Sequence, residues 1–387
     1  MADSPAGRIV PPAFVHDPAL KAVLAALPTA RIVGGAVRDT LAGRPVSDVD
    51  LATALSPDAV IAALEAAGLR VLPTGLAHGT VTALSGGVPF EVTTLRRDHD
   101  TDGRHARVEW TGNWREDAAR RDFTFNAMSM TPDGSLWDYF GGRADLEAGT
   151  VRFVGDPAPR IAEDYLRIPR FFRFYARYGH GVPDPHTLAA IRAGVPGLSR
   201  LSPERVWSEL KRILSTPDPR SAVALMAQLS VLDALVPGAD AAGLQRLPPQ
   251  APADPLLRLQ ALRPSAAALA GPLRMSLQER DALRVLDGPP PSAAMDDAAL
   301  RRMLADTPHD ALLGRAWLAG GGDVIDRLQA MDRPVFPLEG RDVVARGVPP
   351  GPAVGEHLRA VRRWWMDGGC VAGRDASLAQ LAARLAG

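Results

Sequence analysis

The sequence feature that most constrains the fold is a glycine pair followed closely by two aspartates. Asp48 and Asp50 are two residues apart on a predicted extended segment, so both carboxylates project from the same side of it. Oxygen ligands in this arrangement suit hard divalent cations. Upstream, Gly34 and Gly35 allow backbone N–H groups to approach a polyphosphate closely, and Arg38 adds a cationic fork. The combination favours phosphoryl or nucleotidyl transfer assisted by two metal ions.

The order of these motifs matches a known family. The segment from Gly34 to Asp39, taken with Asp48 and Asp50, resembles the head signature of the class II CCA-adding enzyme and poly(A) polymerase family, within the DNA polymerase β-like nucleotidyltransferases. The resemblance implies that Asp48 and Asp50 are catalytic and bind two Mg²⁺ ions. Further segments match in the same order, at residues 91–96, 120–127, 163–167 and 201–205, and two more resemble the tail of bacterial tRNA nucleotidyltransferases, at residues 337–342 and 351–355.

The composition excludes several classes of protein. With 387 residues, 46% of them hydrophobic, the chain can bury more than one core. A formal net charge of zero argues against a uniformly basic nucleic-acid binder, although a local basic groove remains compatible with it. Cys370 is the only cysteine, which excludes a disulfide framework and a Cys-based zinc site. Without a leader pattern or an apolar run of about 18 residues, we expect a cytoplasmic protein with no membrane contact and no obligatory protein partner.

The patterning along the chain predicts an α+β fold. Short apolar strands alternate with helices in the first part, and from Arg160 onward the periodicity is helical. We expect a nucleotidyltransferase head with a mixed or antiparallel sheet and flanking helices, followed by an elongated all-helical remainder. The polar stretch 97–107 has no periodicity and is predicted to be a loop. The predicted domains are a catalytic head at 1–145, a neck that selects the nucleotide at 146–215, a body at 216–290 and a tRNA-binding tail at 291–387.

Other charged residues in the head are candidates for metal or nucleotide binding. Glu91 precedes an apolar strand segment expected beside the aspartate pair, where it either completes the metal site or pairs with an arginine. Arg121 can bind phosphate oxygens through two donors, and Asp122 can accept a hydrogen bond from a sugar hydroxyl. The resemblance implies ribose and phosphate binding by this motif. Asn126 is interpreted as a structural anchor.

The segment 163–173 is interpreted as a nucleotide-selecting helix. A spacing of three places Asp164, Arg167, Arg170 and Arg173 on one side of a single helix. Adenine and cytosine both present an amino donor beside a ring-nitrogen acceptor, so a carboxylate beside a guanidinium would match them and reject guanine and uracil. The resemblance implies this role for Asp164 and Arg167, and the alternative is a surface ion pair. Pro169 removes a backbone donor and is expected to kink the helix.

These observations predict the addition of C, C and A to the 3′ end of tRNA from CTP and ATP. The helical part would bind the acceptor arm by shape and phosphate contacts. The alternatives are a poly(A) polymerase, a partial enzyme that adds only CC or only A, and a catalytically inactive RNA- or nucleotide-binding protein. The neutral net charge and the tail segment 351–355, which resembles that of tRNA nucleotidyltransferases, favour tRNA over the poly(A) alternative. Candidate RNA contacts are Arg205, Lys211, Arg212, Arg359, Arg362 and Arg363.

Overall fold

The computed structural model describes residues 3–101 and 106–386. The chain divides into two compact units, Met1–Leu235 and Val236–Gly387. The first unit contains the predicted head and neck, and the second begins inside the predicted body. The four-part division itself stays a prediction. Within the described residues, no helix is long and apolar enough to cross a membrane.

The first unit is built on a mixed sheet, as expected for an α+β head. The strands of the unit are β1 Gly7–Arg8, β2 Arg31–Val33, β3 Asp50–Thr53, β4 Arg70–Gly75, β5 Thr80–Ser85, β6 Val88–Thr94, β7 Arg96–Thr101, β8 Ala106–Trp110, β9 Ser129–Met130 and β10 Ser135–Trp137. The strand order of the mixed sheet is β1-β10-β9-β2-β3-β6-β5-β4, and every neighbouring pair is antiparallel except β3 with β6.

The helices of the first unit alternate with the strands up to β10, and from α5 onward the unit contains helices without further strands. They are α1 Pro18–Ala26, α2 Gly35–Leu41, α3 Pro57–Ala66, α4 Trp114–Ala119, α5 Gly142–Glu147, α6 Pro157–Glu163, α7 Arg167–Tyr178, α8 Pro185–Gly194, α9 Pro203–Leu214, α10 Arg220–Gln228 and α11 Val231–Leu235. Short 3-10 turns lie at Ala13–His16, Leu76–His78, Thr124–Asn126 and Val195–Arg200. Helix α3 begins with a capped turn, since the Ser56 hydroxyl accepts from the N–H of Ala59 and Pro57 is the first helical residue.

The predicted loop at 97–107 is wrong for the part that the structure describes. Strands β7 and β8 form a separate antiparallel ribbon in which Arg96 pairs with Trp110 and Arg97 with Glu109. The guanidinium of Arg97 lies 2.8 Å from the Glu109 carboxylate across the ribbon. Such cross-strand polar pairs stabilise strands without apolar alternation, which explains why hydrophobic periodicity missed them. Residues 102–105 lie outside the described residues.

The second unit is helical in its described part. Its helices are α12 Ala242–Arg246, α13 Pro255–Leu262, α14 Leu277–Leu286, α15 Asp297–Asp306, α16 His309–Leu318, α17 Asp323–Gln329, α18 Gly340–Val344, α19 Pro352–Asp367 and α20 Arg374–Ala386, with a 3-10 turn at Ala266–Leu269. One buried cluster includes Leu300, Leu304 and Leu312. Another, formed nearer the C-terminus, includes Val361 and Leu381.

An aromatic cluster joins the segment after α4 to α7 inside the first unit. Phe123 is fully buried, and its ring centroid lies 4.8 Å from that of Phe153, 5.2 Å from Phe174 and 5.8 Å from Phe125. Aromatic rings packed in this way contribute large buried areas and favourable ring geometry. The cluster lies directly after Asp122, so it fixes the backbone that carries the predicted nucleotide-binding motif.

The aromatic cluster generates a stability prediction. Phe123→Ala should lower the free energy of unfolding by about 3–5 kcal/mol, because it removes a fully buried ring and leaves a cavity. Denaturant unfolding of the full chain measures this. Val182→Ala is the control, since Val182 is 88% exposed and its truncation should change stability by less than about 0.5 kcal/mol. Equal losses in the two variants would contradict the packing argument.

Candidate nucleotidyl-transfer site

Two neighbouring strands bring the candidate metal ligands together. Asp50 is the first residue of β3, and the parallel register pairs Leu51 with Val92, so Asp50 and Glu91 occupy adjacent positions on β3 and β6. Burial raises the pKa of Asp50, and the nearby charges of Glu91 and Asp48 raise it further, whereas Arg121 lowers it. Asp48 lies just before the strand. The site is therefore a concentration of negative charge.

These carboxylates fit a divalent cation that completes its coordination with other oxygens. In the described residues, no group of three or more His, Cys, Asp and Glu side chains is arranged to hold a metal ion by itself. Mg²⁺ in nucleotide-handling sites takes one or two carboxylates from the protein and fills its other positions with substrate phosphates and water. Asp48 and Asp50 supply such a pair. A ligand role for Glu91 stays a prediction.

The glycine turn allows Arg121 to approach the start of α2. Gly34 has a φ of +64°, a conformation that favours glycine. A Cβ atom at Gly34 would lie 3.1 Å from Nη1 of Arg121. Gly35 is the first residue of α2. The glycine pair therefore provides both the turn and the space for the guanidinium beside it.

Arg38 is held by several partners instead of projecting freely as a cationic fork. Its Nη1 donates to Oδ1 of Asn126 at 2.7 Å, its Nη2 to Asp39 at 2.9 Å, and its Nε to the Tyr178 hydroxyl at 3.0 Å. Tyr178, the last residue of α7, was not among the residues predicted from the sequence. Arg38 thus connects α2 to both Asn126 and α7, and its role towards nucleotide stays a prediction.

Asp117 is a buried anchor that sequence reasoning missed. Its carboxylate lies 2.8 Å from Nη2 of Arg120 and 3.3 Å from Nη2 of Arg121, and it accepts from the backbone N–H of Arg96 at 3.2 Å. Burial acts to raise the pKa of Asp117, but Arg121 and Arg120 hold it below its ordinary value. The i, i+3 and i, i+4 spacing from Asp117 to the two arginines was the available signal.

Asp122, which is buried, forms an ion pair with Arg170 of α7, whose side chain is partly exposed. Its Oδ2 accepts from Nε of Arg170 at 2.7 Å, and its Oδ1 accepts from the N–H of Phe123 and Nδ2 of Asn126, both at 2.9 Å. Burial acts to raise its pKa, but Arg170 and these hydrogen bonds hold the pKa below its ordinary value. Both oxygens are thus engaged within the protein. Accepting a sugar hydroxyl, which stays a prediction, would compete with these donors.

The predicted single helix for Asp164, Arg167, Arg170 and Arg173 is wrong at its beginning. Helix α6 ends at Glu163 and α7 begins at Arg167, so Asp164 lies between two helices. The three arginines do share α7. The physical reason for the break is that Asp164 adopts an extended conformation, with φ −151° and ψ 107°, which a continuous helix would not permit.

Pro169 is the third residue of α7 and does not kink it. The N–H groups of a helix's first turn have no partner within the helix, so a proline there removes no helical hydrogen bond. The twelve-residue helix runs unbroken from Arg167 to Tyr178. The expected kink is therefore replaced by a helix start.

Asp164 and Arg167 have different partners from those predicted. Oδ2 of Asp164 accepts from Nη2 of Arg205 at 2.7 Å, and its Oδ1 accepts from the backbone N–H of Leu166 at 3.0 Å. Nη1 of Arg167 donates instead to Glu163 at 2.6 Å. The structure thus places a carboxylate beside a guanidinium, as a base-selecting edge requires, but Arg205 of α9 provides the guanidinium.

Arg173 is fixed by Glu209, a second buried acid that the sequence did not reveal. Nη1 of Arg173 lies 3.2 Å from Oε1 of Glu209, and the guanidinium lies 4.4 Å over the ring of Phe174. Burial lowers the pKa of Arg173 to about 10 despite the charge of Glu209. The charges of Arg170 and Arg212 lower this pKa as well, so positive charge is concentrated around Arg173.

Most of the predicted site residues line one cleft of about 540 Å³, which we call the nucleotide cleft. Asp48 and Glu91 are not among its lining residues. Arg96, Arg120 and Arg205 line it as well. The predicted residues that the cleft brings together are Gly34, Gly35, Arg38, Asp50, Arg121, Asp122, Asp164, Arg167, Arg170 and Arg173.

The fold and the site define a nucleotidyltransferase. A paired-carboxylate strand, a glycine turn at a helix start and an arginine-lined cleft are the parts that phosphate-handling chemistry needs. The family model described as "Poly A polymerase head domain" matches residues 30–152 of this chain. The family model described as "Probable RNA and SrmB-binding site of polymerase A" matches residues 183–242.

Similar proteins identify the family. The chain is 37% identical to "CCA tRNA nucleotidyltransferase 1, mitochondrial" of Danio rerio, covering 87% of this chain and 83% of that protein. It is 35% identical to the Homo sapiens protein of the same description, covering 91% and 86%. The crystal structure of the Bacillus stearothermophilus CCA-adding enzyme in complex with CTP superposes with a TM-score of 0.75 at 28% identity, covering 95% of this chain and 98% of that one. The chain belongs to the CCA tRNA nucleotidyltransferase family, whose superfamily generally uses divalent metal ions.

The Asp122–Arg170 pair generates a prediction on stability and pH. Asp122→Asn should cost about 1.5–3 kcal/mol at neutral pH, because it removes the charge-assisted hydrogen bonds between the buried carboxylate and Arg170, whose remaining acidic neighbour, Glu209, lies 3.9 Å away. Since the folded-state pKa of Asp122 is below its ordinary value of 3.8, its contribution is complete above that value and is lost as pH falls through the lower folded value. Denaturant unfolding across acid pH should therefore show a shallower loss of stability in Asp122→Asn than in wild type.

The control for this prediction is Asp58→Asn, which changes an exposed carboxylate in the first turn of α3. It should keep the acid dependence of wild type. A wild-type acid profile in Asp122→Asn would show that the Asp122–Arg170 pair does not contribute to the acid sensitivity.

Proposed function

We propose that this chain adds C, C and A to the 3′ end of tRNA, taking CTP and ATP and releasing pyrophosphate. The observation that carries the proposal is one cleft that combines Asp50 with a carboxylate–guanidinium edge, Asp164 and Arg205. The first feature serves nucleotidyl transfer and the second serves selection between bases. The chain's relatives are described as CCA tRNA nucleotidyltransferases over most of its length, which favours this function over a poly(A) polymerase.

Asp48 and Asp50 hold the metal ions in this proposal, and we propose two Mg²⁺. When bound, the ions activate the attacking hydroxyl and stabilise the negative charge of the leaving pyrophosphate. The protein's own contribution is to place the two carboxylates at the beginning of β3, beside Glu91. The mutual repulsion of these acids favours cation binding.

The arginines of the cleft bind and orient the triphosphate. Arg121 lies beside the glycine turn and close enough to Asp50 to lower its pKa, so it is the residue best placed to contact phosphate near the reacting centre. Asp117 orients Arg121 through a side-chain contact. The terminal 3′-hydroxyl of the RNA attacks the α-phosphate, and the electrostatic preorganisation of the site stabilises the transferred group.

Base selection rests on Asp164 and its guanidinium neighbours. The carboxylate accepts from the amino group of cytosine or adenine, and a guanidinium donates to the ring nitrogen. We keep Arg167 as the donor expected from the sequence, and Arg205 is the donor that contacts Asp164 here at 2.7 Å. Guanine and uracil would place a ring N–H donor against the guanidinium donor and a carbonyl acceptor against the carboxylate acceptor. This mismatch leaves buried groups unpaired.

The cellular location stays a prediction. The sequence pattern favours the cytoplasm, whereas the animal relatives are described as mitochondrial.

The function is tested by the length and sequence of its product. With tRNA that lacks its CCA end and all four NTPs, we expect addition to stop after C, C and A. Asp48→Ala and Asp50→Ala should each abolish the addition while the melting temperature stays close to wild type, because the change removes carboxylates that repel one another. Sequencing of the 3′ ends and thermal unfolding measure the two effects.

Three results would contradict this function or its site. Long adenylate tracts on unstructured RNA would indicate a poly(A) polymerase, and products that end in CC would indicate a partial enzyme. Full activity of either aspartate variant would refute the metal assignment.

The base-selecting edge generates a separate prediction. Asp164→Ala should reduce the ratio of kcat/KM for CTP over UTP by about 100-fold or more, because a matched polar edge rejects a mismatched base by several orders of magnitude. Arg167→Ala and Arg205→Ala are compared in the same assay. Substitution of the arginine that donates to the base should lower the CTP over UTP ratio as Asp164→Ala does. Arg121→Ala is the control, since loss of a phosphate contact should slow CTP and UTP in proportion. An unchanged ratio in Asp164→Ala would place base selection elsewhere.

A further inference from the structure

A second cleft of about 560 Å³ adjoins the nucleotide cleft inside the first unit. The two clefts share Arg38, Arg173 and Phe174 as lining residues. We call it the arginine cleft, because its lining includes six cationic side chains: Arg38, Arg44, Arg173, Arg177, Lys211 and Arg212. The reaction steps described above leave it without a role.

The arginine cleft carries more positive charge than its acids neutralise. Asp39 is the carboxylate of its lining, and Asp39 is engaged by Arg38 and the Tyr178 hydroxyl. Burial acts to raise the pKa of Asp39, but its hydrogen bonds with Arg38 and Tyr178 hold it below the ordinary value. Glu209 contacts Arg173 and Arg212. The remaining excess of cations attracts a ligand with several negative charges.

Arg44 is fixed at the wall of this cleft. The turn after α2 has Gly43 at a φ of +63°, and the N–H of Arg44 donates to the carbonyl of Asp39 at 2.9 Å. Nη2 of Arg44 donates to the carbonyl of Arg177 at 2.7 Å, and its guanidinium lies 5.0 Å over the ring of Tyr178. A guanidinium has five N–H donors. A side chain that is already ordered in this way loses little conformational entropy when it binds an anion.

The arginine cleft lies close to the catalytic carboxylates along the chain. Ser47 lines it, and the Ser47 hydroxyl donates to Oδ2 of Asp48 at 2.8 Å. A ligand in this cleft is thus next to the strand that begins with Asp50, and it is separated from the nucleotide cleft by a wall of side chains that both clefts share. The arrangement suits two substrates that must meet at one pair of carboxylates.

We propose that the arginine cleft binds the backbone phosphates of the last nucleotides of the RNA strand and thereby presents its 3′-hydroxyl to Asp48 and Asp50. This inference rests on the proposed function. The incoming nucleotide occupies the neighbouring cleft, and the other substrate is a strand with one negative charge per nucleotide. Phosphate contacts position a strand without carrying sequence information. The same cleft can therefore hold the strand before each of the three additions, although the terminal base changes.

The test compares RNA binding by charge variants of the arginine cleft. The double variant Arg44→Gln, Arg177→Gln should raise the Kd for tRNA lacking its CCA end by about tenfold or more, as expected when charge-assisted contacts to phosphate are lost. The slope of log K against log salt should fall by about 1 to 2. The KM for CTP should stay within about twofold of wild type, because the nucleotide has its own cleft. The control is Arg70→Gln, with the same change of charge, at an exposed position on the edge strand β4.

A chemically altered RNA identifies the contacted group. In an acceptor-stem RNA, the two 3′-terminal linkages are replaced by uncharged methylphosphonates. Wild type should bind this probe as weakly as the double variant binds the natural strand, and the double variant should bind both RNAs equally. Thermal unfolding of each variant establishes that the fold is retained. When Arg44→Lys, which keeps the charge, replaces Arg44→Gln, part of the RNA affinity should be recovered.

The binding measurements use no nucleotide, so their outcome is independent of the reaction. If the double variant loses RNA affinity while the wild-type protein adds no CCA, the result would support the cleft and overturn the proposed function. Wild-type RNA affinity in the double variant would overturn the cleft. A raised KM for pyrophosphate in the reverse reaction, with RNA affinity unchanged, would assign the cleft to the leaving group and likewise overturn the proposal.

Discussion

The ion pair between the buried carboxylate of Asp122 and Arg170 is the interaction on which the catalytic unit depends. It joins the end of the arginine motif after α4 to the fourth residue of α7, and the two partners are 48 positions apart in the sequence. Because Asp122 also accepts from Asn126, which in turn accepts from Arg38, one carboxylate connects the glycine turn, the arginine motif and α7. The two walls of the nucleotide cleft therefore cannot shift independently.

Much of the remaining site follows from the same principle, which is that buried acids orient arginines. Asp117 fixes Arg121, and Glu209 fixes Arg173. Each acid is almost fully buried, so its charge must be compensated locally. The compensated pairs keep the guanidinium groups ordered before any substrate arrives. This preorganisation reduces the entropy that binding would otherwise cost.

The sequence was sufficient for the fold class, the family and most of the residues that line the nucleotide cleft, because glycine turns, paired carboxylates and helical spacing act locally. It was insufficient where the partner comes from far along the chain. Arg205 is 41 residues from Asp164, and no local pattern reveals that contact. The β7–β8 ribbon was missed for a related reason, since polar cross-strand pairs carry no hydrophobic period. The break between α6 and α7 depended on the conformation of one residue, Asp164, within a segment of strong helical periodicity.

Pro169 limits how far α7 can extend towards Asp164. Extending α7 backwards through Tyr165 would place the proline in a helix interior, at a cost of about 3 kcal/mol from the lost hydrogen bond and the clash with the preceding turn. Each residue added to a helix also rotates the chain by about 100° around the helix axis. By opposing that extension, the proline disfavours the rotated position that Asp164 would have in a longer helix. A ring that lacks any hydrogen-bond donor thus helps to keep Asp164 outside the helix, in the extended conformation from which it contacts Arg205.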